Sequence, residues 1–171
     1  MGVFEGERVQ LIDGEIVRMA TQKDVHAVAV GLTSSALRAA FGSGVWVREQ
    51  LPIRIGTYSE PEPDVSVVAG EPRDYVGTDH PDRALLVVEI SDTTLSFDRK
   101  QKASLYASAG IADYWIVNLI DRTLELHRGP IANPSSMYGH RYASVTAISA
   151  SGELAPLAAP SAIISVADLL P

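Results

Sequence analysis

Two short runs of apolar residues, DVSVVAG at 64–70 and ALLVVEIS at 84–91, constrain the fold of this chain more than any other feature. They are nearly continuous rather than alternating, which is typical of β-strands covered on both faces of a sheet. Glu89 lies in the middle of the second run, and Asp64 opens the first. A buried carboxylate without a partner costs several kcal/mol or more. Glu89 therefore requires an arginine, a lysine or a metal ion beside it.

The first third of the chain predicts a hairpin, a helix and an edge strand. The segment RVQLIDGEIVRM contains two alternating runs joined by Asp13 and Gly14, a strong signal for a β-hairpin. In KDVHAVAVGLTSSALRAAF, apolar residues recur at steps of three and four, which predicts an amphipathic helix ended by Gly42. The segment VWVREQLPIRI alternates and contains a proline, which predicts two short strands or a kinked edge strand.

The rest of the chain alternates a helix with strands. SFDRKQKASLYASAG predicts a helix with Ser96 as its N-cap and Gly110 at its C-terminal end. Three further strands are predicted from DYWIVNL, TLELHRG and HRYASVTAIS, and a short strand with a helical turn from the tail PSAIISVADLLP. This order of elements predicts an α/β or α+β fold with a mixed sheet.

Composition limits the class of protein. A length of 171 residues fits one domain, residues 1–171. The absence of cysteine excludes disulfides, zinc–thiolate sites and thiol nucleophiles, and it agrees with a cytoplasmic location. We expect no membrane association, because no apolar run approaches the roughly 20 residues of a membrane span and the N-terminus lacks a secretory signal pattern.

Asp64, Glu89 and Lys102 form the constellation that can carry chemistry. If the two apolar strands are neighbours, the two carboxylates converge near one end of the sheet. All-oxygen ligands of this kind suit Mg²⁺ or Mn²⁺. Lys102 lies on the helix after the Glu89 strand and could stabilise developing negative charge, with Asp98 as its i, i+4 partner. No glycine-rich phosphate loop supports a nucleotide cofactor.

Each of these residues also has an ordinary structural interpretation. A lysine such as Lys102 on an amphipathic helix is usually solvated, and Asp98, Arg99 and Lys100 are expected to be surface charges. The side chain of His26 is expected to be a partly buried structural histidine, and Tyr106 and Tyr114 are expected to be core aromatics.

The pattern PD … VEIS … DRKQK … Y … AGIADYWIVN, with LIDGEIVRM and His26 before it, resembles the restriction-endonuclease-like PD-(D/E)XK superfamily. More narrowly it is similar to the Uma-type restriction endonuclease family of bacteria. The resemblance covers most of the chain. It implies a mixed β-sheet flanked by helices, with N-terminal and C-terminal β-hairpins, and metal-dependent hydrolysis of DNA phosphodiester bonds.

The resemblance also implies residue roles. Asp64 and Glu89 match the two metal-binding acids, which implies Mg²⁺ (or Mn²⁺) as cofactor. The superfamily usually has lysine two residues after the second acid, where this chain has Ser91. The lysine of the narrower family matches Lys102 on the next helix, with Lys100 as a nearby rival. Glu49 and, below it, Glu15 are candidates for a further acid near the metal. Ser91 and Asp98 are the other candidate accessory residues of the site.

Three functions remain open from the sequence. The first is a Mg²⁺-dependent endonuclease, which would form a homodimer if it follows the two-fold symmetry of duplex DNA. The second is a nuclease-fold binding or accessory protein without turnover. A net charge of −7 favours it, because proteins that hold nucleic acid through its phosphates normally have a basic surface. The third is a β-rich module in which Glu89 pairs with an arginine such as Arg54 or Arg83.

Overall fold

The computed structural model describes residues 8–19 and 21–171, so the expectation of no secretory signal rests partly on residues outside this range. The described chain begins with an antiparallel hairpin of strands β1 (Val9–Ile12) and β2 (Glu15–Arg18). Asp13 and Gly14 form its turn with φ of 53° and 79°. Positive φ at both positions is what a tight two-residue hairpin turn requires, so the predicted hairpin is confirmed.

Helix α1 (Asp24–Phe41) follows the hairpin, as its apolar spacing predicts. It buries one stripe of side chains, which includes Ala29, Val30 and Leu37. Gly42 follows the helix with φ of 66°, a conformation that glycine adopts without steric cost. None of the helices among residues 8–19 and 21–171 has the length and hydropathy of a membrane span.

The centre of the fold is a mixed six-stranded sheet. In spatial order its strands are β3 (Val45–Glu49), β4 (Val65–Ala69), β5 (Leu86–Ser91), β6 (Asp113–Asn118), β7 (Thr123–Ala132) and β8 (His140–Ser149). Strands β5 and β6 are parallel, and all other neighbours are antiparallel. This is the mixed sheet that the order of predicted elements indicates.

Strands β5 and β6 are buried along their whole length, because both faces of the sheet are covered. On one face, α1 and the C-terminal segment pack through Leu37 and Leu169 against Val88 and Trp115. On the other face, Tyr106 packs with Val87 in a second apolar cluster. Alternation along β5 sends Val87 and Glu89 to this second face, and Val88 and Ile90 to the first.

The second face is covered by the helix that joins parallel strands β5 and β6, residues 95–108, which we call the crossover helix. Its ends, Leu95–Phe97 and Ala103–Ser108, are α-helical, and Asp98–Lys102 between them is a π-helical turn. The prediction of Ser96 as N-cap is wrong, because the helix already begins at Leu95 after Thr94. Gly110 follows the helix with φ of 72°, as its predicted role at the helix end requires.

The segment VWVREQLPIRI forms one strand, not two. β3 ends at Glu49, and Gln50 turns the chain with φ of 51°. The following residues make only an isolated bridge, between Ile55 and Ser59. β3 lies at the edge of the sheet, which is where a proline-bearing strand can end without losing a ladder hydrogen bond.

The tail closes on the core as a two-stranded antiparallel sheet and a 3₁₀ turn. The strands are β9 (Glu153–Leu154) and β10 (Ile164–Ser165), and the turn is Val166–Leu169. Val166 and Leu169 are fully buried against the α1 face of the sheet.

The packing of α1 on the sheet predicts unequal costs for two substitutions on that helix. Leu37→Ala removes a fully buried side chain and should lower the free energy of unfolding by about 2–5 kcal/mol. Val28 is half exposed on the same helix, so Val28→Ala should change it by less than about 1 kcal/mol. Urea titration of the two variants and the wild type measures the difference, and equal losses would contradict the packing described here.

Candidate active site

Asp64 and Glu89 lie opposite each other at the ends of two neighbouring strands. Val65 of β4 pairs with Val88 of β5 in the antiparallel register, so one further step places Asp64 across from Glu89. Directly opposed residues of an antiparallel pair project from the same face of a sheet. Both carboxylates line one pocket of about 300 Å³. The convergence expected from the sequence is therefore present.

Two groups hold the Asp64 carboxylate. The backbone N–H of Ile90 on β5 donates a hydrogen bond to Oδ2 at 2.8 Å. His26 Nε2, near the start of α1, lies 2.9 Å from Oδ1. The carboxylate therefore joins the helix on one face of the sheet to the strand that carries Glu89.

Two residues of the crossover helix hold the Glu89 carboxylate. Lys102 Nζ lies 2.8 Å from Oε1, and the hydroxyl of Tyr106 donates to the same oxygen at 2.6 Å. Lys102 and Tyr106 are four residues apart, one turn of helix, so both reach the same point on β5. Oε2 of Glu89 accepts no hydrogen bond within the described residues, which leaves one oxygen available to a ligand.

The π-helical turn positions the charged groups of this helix. Asp98 and Lys102 at its two ends are both buried, with 2% and 5% exposure. The Thr94 hydroxyl donates to Asp98 Oδ2 at 2.6 Å, and the Lys102 ammonium lies 6.0 Å from the centre of the Phe97 ring. π turns inside α-helices are frequent at functional sites, because they displace side chains from regular helical positions.

Burial determines the charge state of Glu89. Desolvation raises its pKa to about 8, although the Lys102 ammonium opposes this shift and the charges of Asp64 and Asp98 add to it. Burial lowers the pKa of Lys102, but the charges of Glu89, Asp98 and Asp64 outweigh burial, so its pKa is raised overall. Lys102 is thus held as an ammonium ion inside the fold. Its buried location contradicts the interpretation of a solvated helix-face lysine.

The neighbouring groups are shifted by the same surroundings. Burial raises the pKa of Asp98, although the Lys102 charge and the Thr94 hydrogen bond oppose it. Burial lowers the pKa of His26, but the hydrogen bond with Asp64 and the nearby acidic charges outweigh burial, so its pKa is raised. The ionisable groups at this end of the sheet are therefore electrostatically coupled. A change in the charge of one group affects the pKa values of the others.

The N-terminal hairpin forms a wall of the pocket. Its lining residues come from β1, β2 and the segment before α1, and they are Arg8, Gln10, Val17, Arg18, Met19, Thr21, Gln22 and Lys23. Arg8 forms an ion pair with Glu62, near the start of β4. Lys23 pairs with Asp92 at 3.0 Å, just after β5. The acids therefore lie inside a walled pocket rather than on an open surface.

The donor set fits a hydrated Mg²⁺ or Mn²⁺ ion. No group of three or more His, Cys, Asp or Glu side chains that could hold a metal occurs among the described residues, so the protein does not form a closed cage. Magnesium usually binds through one or two carboxylates and keeps water and substrate phosphate as its other ligands. Asp64 and Glu89 supply such a pair. A cation between them would also offset the cost of ionising buried Glu89.

The other residues considered from the sequence lie elsewhere or have structural partners. Glu49 is exposed and pairs with Arg38 at 2.6 Å. Glu15 is exposed on β2 and, like Glu49 and Lys100, does not line the pocket. Ser91 is buried, with its hydroxyl 3.5 Å from that of Thr94. The expectation that Asp98 is a surface charge is wrong, since the loop before the helix and β5 enclose it.

The expectation that Glu89 pairs with an arginine is wrong. Lys102 occupies that place, and Arg54 pairs instead with Asp79 at 2.9 Å. The acid is therefore tied to the helix that follows its own strand.

His26 and Tyr106 are the site residues that reasoning from the sequence missed. The sequence interpretation made His26 a structural histidine and Tyr106 a core aromatic, yet each binds one of the two acids. The signal for Tyr106 was its spacing of four residues from Lys102. The signal for His26 was weaker, because only the fold brings the start of α1 beside β4.

Comparison with known proteins bears on the family and the fold of this chain. The family model "Uma2: Putative restriction endonuclease" matches residues 3–155. A crystal structure described as "a putative nuclease belonging to DUF820 from Anabaena variabilis ATCC 29413" superposes with a TM-score of 0.70 at 16% sequence identity. The superposition covers 94% of this chain and 88% of that chain, which shows that the fold is shared. No curated protein gives a significant match.

The raised pKa of Glu89 predicts how stability depends on pH. Between the ordinary pKa of 4.5 and about 8, the folded protein keeps a proton that the unfolded chain has lost. The free energy of unfolding should therefore fall as pH rises through this window, by at most about 1.4 kcal/mol per pH unit. Glu89→Gln removes this titration. In chelator, the free energy of unfolding of the wild type minus that of the variant should therefore decline as pH rises from 5 to 8.5.

Glu125→Gln provides the control for this measurement. Glu125 is also buried, and burial raises its pKa, but the neighbouring His127 side chain and hydrogen bonds from Arg99 and Asn118 outweigh burial and lower the pKa to about 2. The contribution of ionised Glu125 to the free energy of unfolding is complete above the ordinary pKa of 4.5. The difference in free energy of unfolding between the wild type and Glu125→Gln should therefore be constant between pH 5 and 8.5. A constant difference for Glu89→Gln as well would show that Glu89 is ionised throughout.

Proposed function

This chain belongs to the Uma2 family, and from that membership and the site geometry we propose that it is a metal-dependent endonuclease that hydrolyses DNA phosphodiester bonds. Membership in the family described as "Putative restriction endonuclease" supports a nuclease-like function. The observation that carries the finer proposal is the meeting of Asp64, Glu89 and Lys102 in one pocket, with the two acids opposed across β4 and β5.

In this proposal Asp64 and Glu89 hold Mg²⁺ or Mn²⁺. The bound ion supplies Lewis-acid polarisation of a phosphoryl oxygen. The free oxygen of Glu89 is the donor available without displacing Lys102. Ile90 and His26 fix Asp64, and Tyr106 fixes Glu89, so neither acid needs to reorganise when substrate enters.

Lys102 carries the positive charge that the reaction needs from the protein. Phosphodiester hydrolysis builds negative charge on the phosphoryl oxygens and on the leaving oxygen. The ammonium of Lys102 lines the pocket beside Glu89 and is held there by Coulombic attraction to Glu89 and Asp98. A buried, preorganised cation acts more strongly on such charge than a solvated one, because the local dielectric constant is low.

Asp98 is a positioning residue in this scheme. Its carboxylate accepts from Thr94, its backbone carbonyl accepts from Tyr114 at 3.1 Å, and its charge attracts Lys102. These contacts anchor the first residue of the π turn, while Lys102 at the other end reaches Glu89. The hydroxyl of Ser91 contacts that of Thr94, the residue that donates to Asp98.

A second function, a nuclease-fold binding or accessory protein without turnover, has one observation in its favour. The Lys102 ammonium contacts the same carboxylate that would bind the metal, and an ion pair of this kind also satisfies Glu89 without a metal. DNA binding with neither cleavage nor metal affinity, measured by titration calorimetry, would favour this second function. DNA as substrate, a homodimer and a cytoplasmic location remain predictions.

The endonuclease proposal predicts metal-dependent nicking of supercoiled plasmid. Asp64→Asn and Glu89→Gln should each lower the nicking rate roughly 100-fold or more, because each removes a metal ligand. Lys102→Gln should lower it about 10²–10³-fold, the usual effect of removing one electrostatic group from a transition state. Agarose gels of time courses with Mg²⁺, Mn²⁺ or chelator give the rates.

Glu49→Gln is the matched control, since it makes the same change of carboxylate to amide at an exposed position outside the pocket. Its nicking rate should stay within about twofold of the wild type. Thermal melting confirms that all variants are folded. Nicking that survives in the Asp64→Asn/Glu89→Gln double variant, or that proceeds equally in chelator, would contradict the proposal.

A further inference from the structure

A second cavity lies on the outer side of the same π-helical turn. It has a volume of about 430 Å³ and runs between the crossover helix and the start of β8. Its polar lining includes Arg99, Lys100, Ser104, His127, His140 and Arg141. We call this cavity the basic groove.

The charge of the basic groove is opposite to that of the chain as a whole. The sequence has 21 acidic and 14 basic residues, yet the described lining of the groove has three cations, two histidines and no acid. A local basic stripe in an acidic protein favours association with a polyanion at that stripe. The net charge of −7 argues against phosphate binding by the protein surface as a whole. The groove is a local exception, because its described lining is basic.

Two of these cations are available to a ligand. Lys100 is exposed, and its ammonium group forms no ion pair or hydrogen bond with the described residues. Arg141 is exposed and uses one guanidinium nitrogen for the carbonyl of Tyr142 at 3.2 Å. Arg99 differs, because Glu125 accepts hydrogen bonds from its Nε and Nη2 between 2.6 and 3.2 Å.

A buried polar atom in the wall of the groove is also unpaired. His127 is 4% exposed, lines the groove, and its Nε2 makes no hydrogen bond among the residues that the structure describes. The nearest charged atom, Glu125 Oε2, is 3.7 Å away. Buried polar atoms are rarely left without a partner, and such an exception calls for an explanation such as a ligand or an ion.

We propose that the basic groove binds phosphate groups of the same nucleic-acid strand that enters the candidate active site. This inference rests on the proposed function and names where the flanking part of the substrate lies. Lys102 and Asp98 line the site pocket, whereas Arg99, Lys100 and Gln101 of the same turn line the groove. The two cavities are thus separated by about the diameter of a helix, roughly 10 Å. That separation corresponds to about three nucleotides at 3.4 Å per nucleotide of one strand.

The test is a salt titration of DNA binding by the full chain. A fluorescein-labelled duplex and a single strand are titrated in Ca²⁺, with anisotropy as the readout, for the wild type and Lys100→Gln/Arg141→Gln. The matched control is Arg73→Gln/Arg83→Gln, which removes two equally exposed cations that do not line the groove. Both pairs remove two positive charges, so the comparison tests whether the location of the charges matters.

Loss of two phosphate contacts should weaken binding about tenfold at low salt for the groove variant. It should also lower the slope of log K against log salt by about 1.8 for duplex and about 1.4 for single strands. The control should differ from the wild type by less than about twofold, with an unchanged slope. Thermal melting verifies that both variants are folded.

Three results would overturn the groove proposal. The first is an equal effect of the two double variants, and the second is no DNA binding by the wild type. The third is a groove that takes only free phosphate. In that case inorganic phosphate would protect the wild type against heat, this protection would vanish in Lys100→Gln/Arg141→Gln, and DNA affinity would be unaffected.

Failure of the groove and failure of the nuclease are distinguishable. Plasmid nicking with equal DNA affinity of the two double variants overturns the groove and leaves the nuclease. DNA affinity that falls only in the groove variant, without nicking by the wild type, supports the groove and contradicts the nuclease.

Discussion

The contact between buried Glu89 and the ammonium of Lys102 is the constraint on which the site depends. A carboxylate at the centre of a sheet covered on both faces cannot be solvated, and the crossover helix supplies both a cation and the Tyr106 hydroxyl at the same oxygen. These contacts tie the helix to β5 by polar atoms as well as by apolar packing. Because the same helix also connects β5 to β6, the contact links the site to the centre of the sheet.

The sequence predicted the framework of this site well. The two apolar runs became β4 and β5, and the alternation of side chains along a strand was enough to bring Asp64 and Glu89 to one end of the sheet. Lys102 is a candidate both from its place on the helix after the Glu89 strand and from the resemblance, although an amphipathic helix alone predicts a solvated lysine. The structure buries it, because the π turn brings it beneath the helix and against β5.

What the sequence could not provide were contacts between distant elements. His26 meets Asp64 because α1 and β4 pack together, and no local pattern encodes that meeting. The helix begins one residue before Ser96, and the π turn has no sequence signature that would place Asp98 in the interior. Glu49 is an accessory candidate from the sequence, but the end of edge strand β3 places it with Arg38 instead.

One short turn of helix faces two cavities of different character. The inner side presents Asp98 and Lys102 to the pocket with the acids, and the outer side presents Arg99 and Lys100 to a groove without acids. In an acidic chain, this arrangement places a cluster of positive charge beside the site. The crossover helix thereby relates the proposed chemistry to the proposed substrate contacts.

The most direct test of the account is a crystal structure grown with Mn²⁺, in which anomalous scattering locates the ion. A metal site formed by both acids predicts one peak within about 2.3 Å of carboxylate oxygens from both Asp64 and Glu89, with Lys102 still at the edge of the pocket. Crystals that bind manganese elsewhere, or not at all, and that keep Glu89 satisfied by Lys102 and Tyr106 alone, would contradict it.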